Sequence, residues 1–86
     1  MIVGDRIERA ERVKNLLASP EWKQAWTTLR ATYIYVIEST EDDQAALEAR
    51  RMLRAATKAR EHLEAMVMDG KLANADIAAR RSLLRM

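Results

Sequence analysis

Ala45-Ala46-Leu47-Glu48-Ala49-Arg50-Arg51-Met52-Leu53-Arg54-Ala55-Ala56-Thr57-Lys58-Ala59-Arg60-Glu61-His62-Leu63-Glu64-Ala65-Met66 contains neither glycine nor proline. Within this stretch Ala45, Ala49, Met52, Ala56, Ala59, Leu63 and Met66 recur at alternating steps of four and three. That spacing is the seam of packed helices. Alanine, leucine, glutamate, arginine and methionine dominate the segment, and these are the strongest helix formers. Four of the seven seam residues are alanine, so a partner helix can approach closer than the usual ~8–10 Å.

The segments on either side follow from local punctuation. Ser19-Pro20 reads as a helix start, with serine as cap and proline at the first helical position, where a missing N–H is harmless. Downstream, Trp22, Trp26, Leu29, Tyr33 and Val36 share one helical stripe. Tyr33-Ile34-Tyr35-Val36-Ile37 is also rich in strand formers, but no other segment offers a pairing partner. Thr40 reads as the next cap, with Glu41, Asp42 and Asp43 in the first turn, where the helix dipole favours carboxylates. Asp69-Gly70-Lys71 reads as a stop, with glycine closing the helix, and Asn74 as the cap of a last short helix. Ile7, Ala10, Val13, Leu16 and Leu17 mark one face of an N-terminal helix. The expected fold is all-α: an antiparallel helical hairpin (about 20–39 and 41–69), an N-terminal helix (about 5–18) and a short C-terminal helix or tail. Residues 1–86 form a single helical domain in this reading.

Composition narrows the function. The chain has 86 residues, 15 basic and 13 acidic side chains and a net charge of +2, so it is not a disordered charged tail. It has no cysteine, which removes disulfides, thiolate metal sites and cysteine nucleophiles. No apolar run approaches the ~18 residues that mark a membrane span, and residues 1–3 are too short for the apolar core of a signal peptide. A small, soluble, helical intracellular protein is expected.

Few residues could carry chemistry. His62 is the only histidine, and a metal site needs several ligands at set spacings. The carboxylates at 41–43 begin a helix with nothing apolar around them, so capping explains them better than acid–base work. No catalytic, cofactor-binding or metal-binding residue is assigned, and no small-molecule substrate or membrane partner is expected.

Two surfaces suit partners. Trp22, Trp26, Leu29 and Tyr33, with Ala49, Met52 and Ala56 of the seam, form the expected protein interface, because tryptophan is enriched at interface hot spots. A chain this size buries little of its surface, and alanine adds little at ~25 cal/mol per Å². A second copy or another protein is expected to cover what remains. Arg50, Arg54 and Lys58 recur every four residues, and Arg80, Arg81 and Arg85 gather near the C-terminus. Both groups are candidates for nucleic-acid phosphates.

From residue 12 to residue 73 the chain resembles small helical proteins of tailed bacteriophages encoded near packaging and virion-structure genes. The likeness rests on Leu16-Leu17-Ala18-Ser19-Pro20, the pattern through Trp26, Leu29 and Tyr33, and Ser39-Thr40 before acidic residues. Arg50, His62-Leu63-Glu64 and Gly70-Lys71-Leu72-Ala73 continue it. Several members of that group carry a tryptophan near the end of the second helix, where this chain has Tyr35 and Ile37. The resemblance implies a phage origin and a non-enzymatic role; taken with the under-buried hairpin and its interface-type aromatics, it leads to the expectation of a virion-assembly protein that associates with itself or with other virion proteins. It places the protein in the host cytoplasm during infection, with the virion as a second location. The alternatives are a small DNA-binding packaging subunit and an inhibitor of a host protein.

Overall fold

The computed structural model describes residues 3–84, which form three helices and no strand: α1 (Val3–Ala18), α2 (Pro20–Ser39) and α3 (Asp43–Leu84). The all-α class is as the periodicity dictates. Contacts divide into two compact units, one of Met1–Leu17 with His62–Met86 and one of Ala18–Glu61.

In the second of these units α2 and the first part of α3 form a hairpin joined by a short turn. Ser19 has extended backbone (φ −68°, ψ 143°), and its hydroxyl accepts the Trp22 N–H at 3.2 Å, so it caps α2 as expected, with Pro20 directly after it. The turn departs from expectation. Thr40 caps the C-terminus of α2, its N–H donating to the Val36 carbonyl. The start of α3 is capped by Asp42, whose carboxylate accepts the Gln44 N–H at 2.9 Å while its carbonyl accepts the Ala46 N–H. The Thr40 hydroxyl accepts the Asp42 N–H at 3.1 Å and so orders the turn between the two caps. Aspartate and threonine both serve as caps. Thr40, expected to open α3, instead closes α2, and Asp42, two residues on, takes the task expected of it.

The packed stripe of α3 also lies slightly off the expected seam. Ala49 is buried, and Ala45, Ala46, Leu53, Ala56 and Thr57 are half-buried, whereas Met52 and Ala59 are exposed. Ala49 and Ala56 belong to both possible stripes. Met52 and Leu53 lie on either side of the line joining them, so spacing alone leaves the rotation of the helix open. Thr57 keeps its hydroxyl satisfied on this face by donating to the Leu53 carbonyl at 2.9 Å.

The other unit contains the main departure. α3 does not stop at Asp69-Gly70-Lys71 but runs 42 residues to Leu84, and no glycine among the described residues has positive φ. Gly70 is therefore an interior helical residue, which ordinarily costs about 0.5–1 kcal/mol relative to alanine. Its surroundings account for it. Gly70 is buried against Ala10 of α1, so closely that an added Cβ would overlap the Ala10 Cβ, and the Ala10 Cα and the Arg6 carbonyl would lie 3.6 Å away. Ala10, Val13 and Ala73 are buried in the same unit. α1 thus groups with the later part of α3, including the stretch expected as a tail, rather than with the hairpin.

Charge fixes the same contact. The Arg6 guanidinium donates to both oxygens of Asp69, Nε at 3.0 Å and Nη2 at 2.5 Å, and Arg9 Nη2 stands 3.6 Å from the same carboxylate. The hydrogen bond from Arg6 holds the Asp69 carboxyl below its usual range, partial desolvation opposes this, and the charges of Arg6 and Arg9 reinforce it. Arg6 is held more firmly protonated by the same pairing.

Candidate protein-interaction surface

None of the residues of α2 is fully buried, and Leu29 and Tyr35 are exposed. Trp22 and Trp26, one turn apart, are half-buried and stack with ring centroids 6.5 Å apart at 12° between planes. The Arg60 guanidinium lies 5.0 Å from the Trp26 ring centroid, a cation–π contact worth about 0.5–1 kcal/mol at an exposed site. It also fixes the hairpin's sense, because Trp26 near the start of α2 meets a residue well along α3, as an antiparallel pair requires.

Two open grooves flank this helix. One is lined by Trp26, Ala31, Ile34 and Tyr35, with Arg30, Glu38 and Arg60 at its polar rim. The other is lined by Ala25, Thr28, Leu29, Thr32 and Tyr33 with Glu21 and Gln24. An apolar floor with a charged rim is the composition of an interaction surface. Leu29 is 38% exposed and Tyr35 is 71% exposed.

Of the residues singled out from sequence, Trp22, Trp26 and Tyr33 are half-buried on the hairpin, Leu29 is exposed, Ala49 is buried, Ala56 is half-buried and Met52 is exposed. Arg50, Arg54 and Lys58 do converge, lining one open groove with Leu53 and Thr57, and Glu61 lies on that groove too. Arg80 and Arg81 are exposed in the other unit, where Arg80 pairs with Asp76 at 3.2 Å; Arg85 lies outside the described residues. His62 is exposed, and no group of three metal-ligating side chains occurs among the described residues. No helix among them is long and apolar enough to cross a membrane.

Sequence reasoning missed Arg60 as the cover of Trp26, and it missed the Arg6–Asp69 pair and the Ala10–Gly70 contact. The last had a readable signal: Gly70 and Ala73 stand three residues apart among good helix formers, a pattern of small residues that admits a close neighbour. No family model matches the chain, and neither does any curated protein or solved structure.

Proposed function

We propose that this chain is a non-enzymatic helical assembly protein that works by associating with itself or with virion components of a tailed bacteriophage. One observation carries the association: large apolar side chains stay exposed while small ones are buried. Among the described residues the buried apolar ones are all small, Ala10, Val13, Ala49 and Ala73, whereas Leu16, Leu29, Leu47, Met52, Met68, Leu72, Leu83 and Leu84 are exposed. The phage setting is supported by the sequence resemblance alone.

Contact with DNA ranks lower. Glu61 shares the groove of Arg50, Arg54 and Lys58, and Arg80 is engaged by Asp76, so each basic group has one acidic neighbour that weakens its field.

Sedimentation of the full chain across micromolar concentrations tests the association. Mass rising with concentration is expected. A single species of monomer mass at every concentration, unchanged when phage structural proteins are added, would refute the reading. Mass spectrometry of purified virions beside infected-cell lysate then tests the setting.

A further inference from the structure

α1 bridges the weakest point of α3. Before Gly70, Lys14 and Leu17 of α1 share a groove with Glu64, Val67 and Met68. At Gly70 the Ala10 methyl occupies the space that a side chain would need. Arg6 holds Asp69 on one side of the glycine, and the charge of Asp76, on the other side, also acts on Arg6. α3 has local reasons to end here. Glycine is about fivefold poorer than alanine at extending a helix, and Asn74 is competent to cap a new one. Residues 71–84, standing alone, fall within the ~12–15 residues at which a helix is marginal in water. Packing against a neighbour offsets this, and from 71 to 84 only Ala73 is buried and only Ile77 half-buried. Ala73 is 1% exposed, in a unit whose other helix is α1.

Independently of association, we propose that α1 is a strap that switches the end of α3. Docked, it holds one helix through Gly70; released, it lets α3 end at Gly70 and frees residues 71–84. The same residues encode both outcomes, and whether Ala10 lies against Gly70 selects between them. A local stop signal overridden by one tertiary contact is a two-state element of the order–disorder kind. The strap is lightly held. The buried side chains of its unit are the small ones of Ala10, Val13 and Ala73, and the Arg6–Asp69 pair is about one-third exposed, where an ion pair contributes little. Sparse burial of this kind marks the parts of a protein that open locally. The two states also give one substitution opposite signs. With α1 docked, the methyl of Gly70→Ala meets Ala10; with α1 released it meets nothing and strengthens the helix.

Residue-resolved hydrogen exchange on the full chain reads both states. In the parent, the amides of α1 and of residues 71–84 exchange through one shared opening. Ala10→Glu puts a charged side chain where Gly70 leaves no room for it, so both groups exchange at least about tenfold faster while residues 45–60 keep their rates. Adding Gly70→Ala to Ala10→Glu slows residues 71–84 about fivefold and leaves α1 fast, whereas Gly70→Ala alone speeds α1. If Ala10→Glu exposes α1 while residues 71–84 exchange at the parent rate, α3 runs through Gly70 unaided and the strap is refuted. An α1 that keeps its parent protection in Ala10→Glu refutes it too, because the Ala10 contact then does not hold it. Should Ala10→Glu unfold the whole chain, the parent decides: α1 amides that exchange well ahead of residues 71–84 overturn the switch, and a common rate supports it.

Discussion

Replacing Gly70 with alanine sets two effects of opposite sign against each other. In an unencumbered helix interior the change stabilises by about 1 kcal/mol, since glycine is the poorer helix former by that amount. At this position the new methyl group would overlap the Ala10 Cβ. Ala10 cannot rotate its side chain aside, so α1 and α3 must separate by an ångström or more, loosening Val13 and Ala73, which are buried in the same unit. Overpacking of a core costs about 1–3 kcal/mol, and here the displaced surface includes most of the unit's buried residues, so the upper half of that range applies. The net expectation is a loss of about 1–2 kcal/mol. For a domain of this size each kcal/mol lowers Tm by about 4–8 °C. Thermal unfolding followed by circular dichroism therefore shows Gly70→Ala melting roughly 5–15 °C below the parent. The Ala10→Gly/Gly70→Ala double variant moves the gap to the other helix and restores the close approach. Its Tm lies above that of Gly70→Ala, with a coupling of about 0.5–3 kcal/mol in the cycle. Should Gly70→Ala melt higher than the parent, helix propensity has won and the close crossing of α1 and α3 is absent.

The Asp69 pairing makes stability depend on pH in one direction. The folded pKa of Asp69 is depressed, so its contribution is complete above the unfolded value of about 3.9 and is lost as pH falls below that value through the folded one. Asp69→Asn accordingly lowers Tm at pH 7, and its deficit against the parent shrinks towards zero in strong acid; a deficit independent of pH would show that the pairing does not stabilise the fold. At the hairpin turn, Asp42→Ala removes the carboxylate that caps α3 and costs about 1 kcal/mol, whereas Glu41→Ala, one residue earlier and also exposed, leaves Tm within about 2 °C. Equal losses in urea titrations of the two variants would mean that the turn draws only on general negative charge.

The fold was legible where a short-range rule decided the outcome. Ser19-Pro20 contained its own cap and first-turn residue, and the spacing of Trp22, Trp26 and Tyr33 left only a helix for α2. Legibility failed where a choice depended on a distant residue. Gly70 is a stop signal by every local rule, and only α1, about sixty residues away in sequence, makes it an interior position. Thr40 and Asp42 are both competent caps, and which one opens α3 depends on where α2 ends. Met52 and Leu53 flank the same alanines, and the position of α2 decides which of them is covered. On the surface, periodicity found the basic residues that share a groove at Arg50, Arg54 and Lys58, but it could not foresee Glu61 on the same groove or Arg60 turned onto Trp26.

That last contact bears on which apolar side chains would gain most from the proposed association. Tryptophans are the usual anchors of an interface, and from sequence the Trp22–Trp26 face is the obvious one. The gain from burying a side chain, however, scales with the apolar area it still exposes to water. Trp22 and Trp26 have surrendered part of that area to each other and to Arg60, and both are already half-buried. Leu72 and Leu83 retain most of theirs. A partner that covered Leu72 and Leu83 would remove that area from water without first displacing a guanidinium or unstacking a ring pair. For the proposed association, the larger gain per side chain therefore lies in the segment that the sequence reading assigns to a short helix or tail beyond a glycine stop. Continuing α3 through Gly70 does two things at once: it gives α1 a surface to pack on, and it holds Met68, Leu72, Ala75, Ala79 and Leu83 in the helical register that aligns them. Breaking the helix at Gly70 would scatter those side chains even if each stayed exposed.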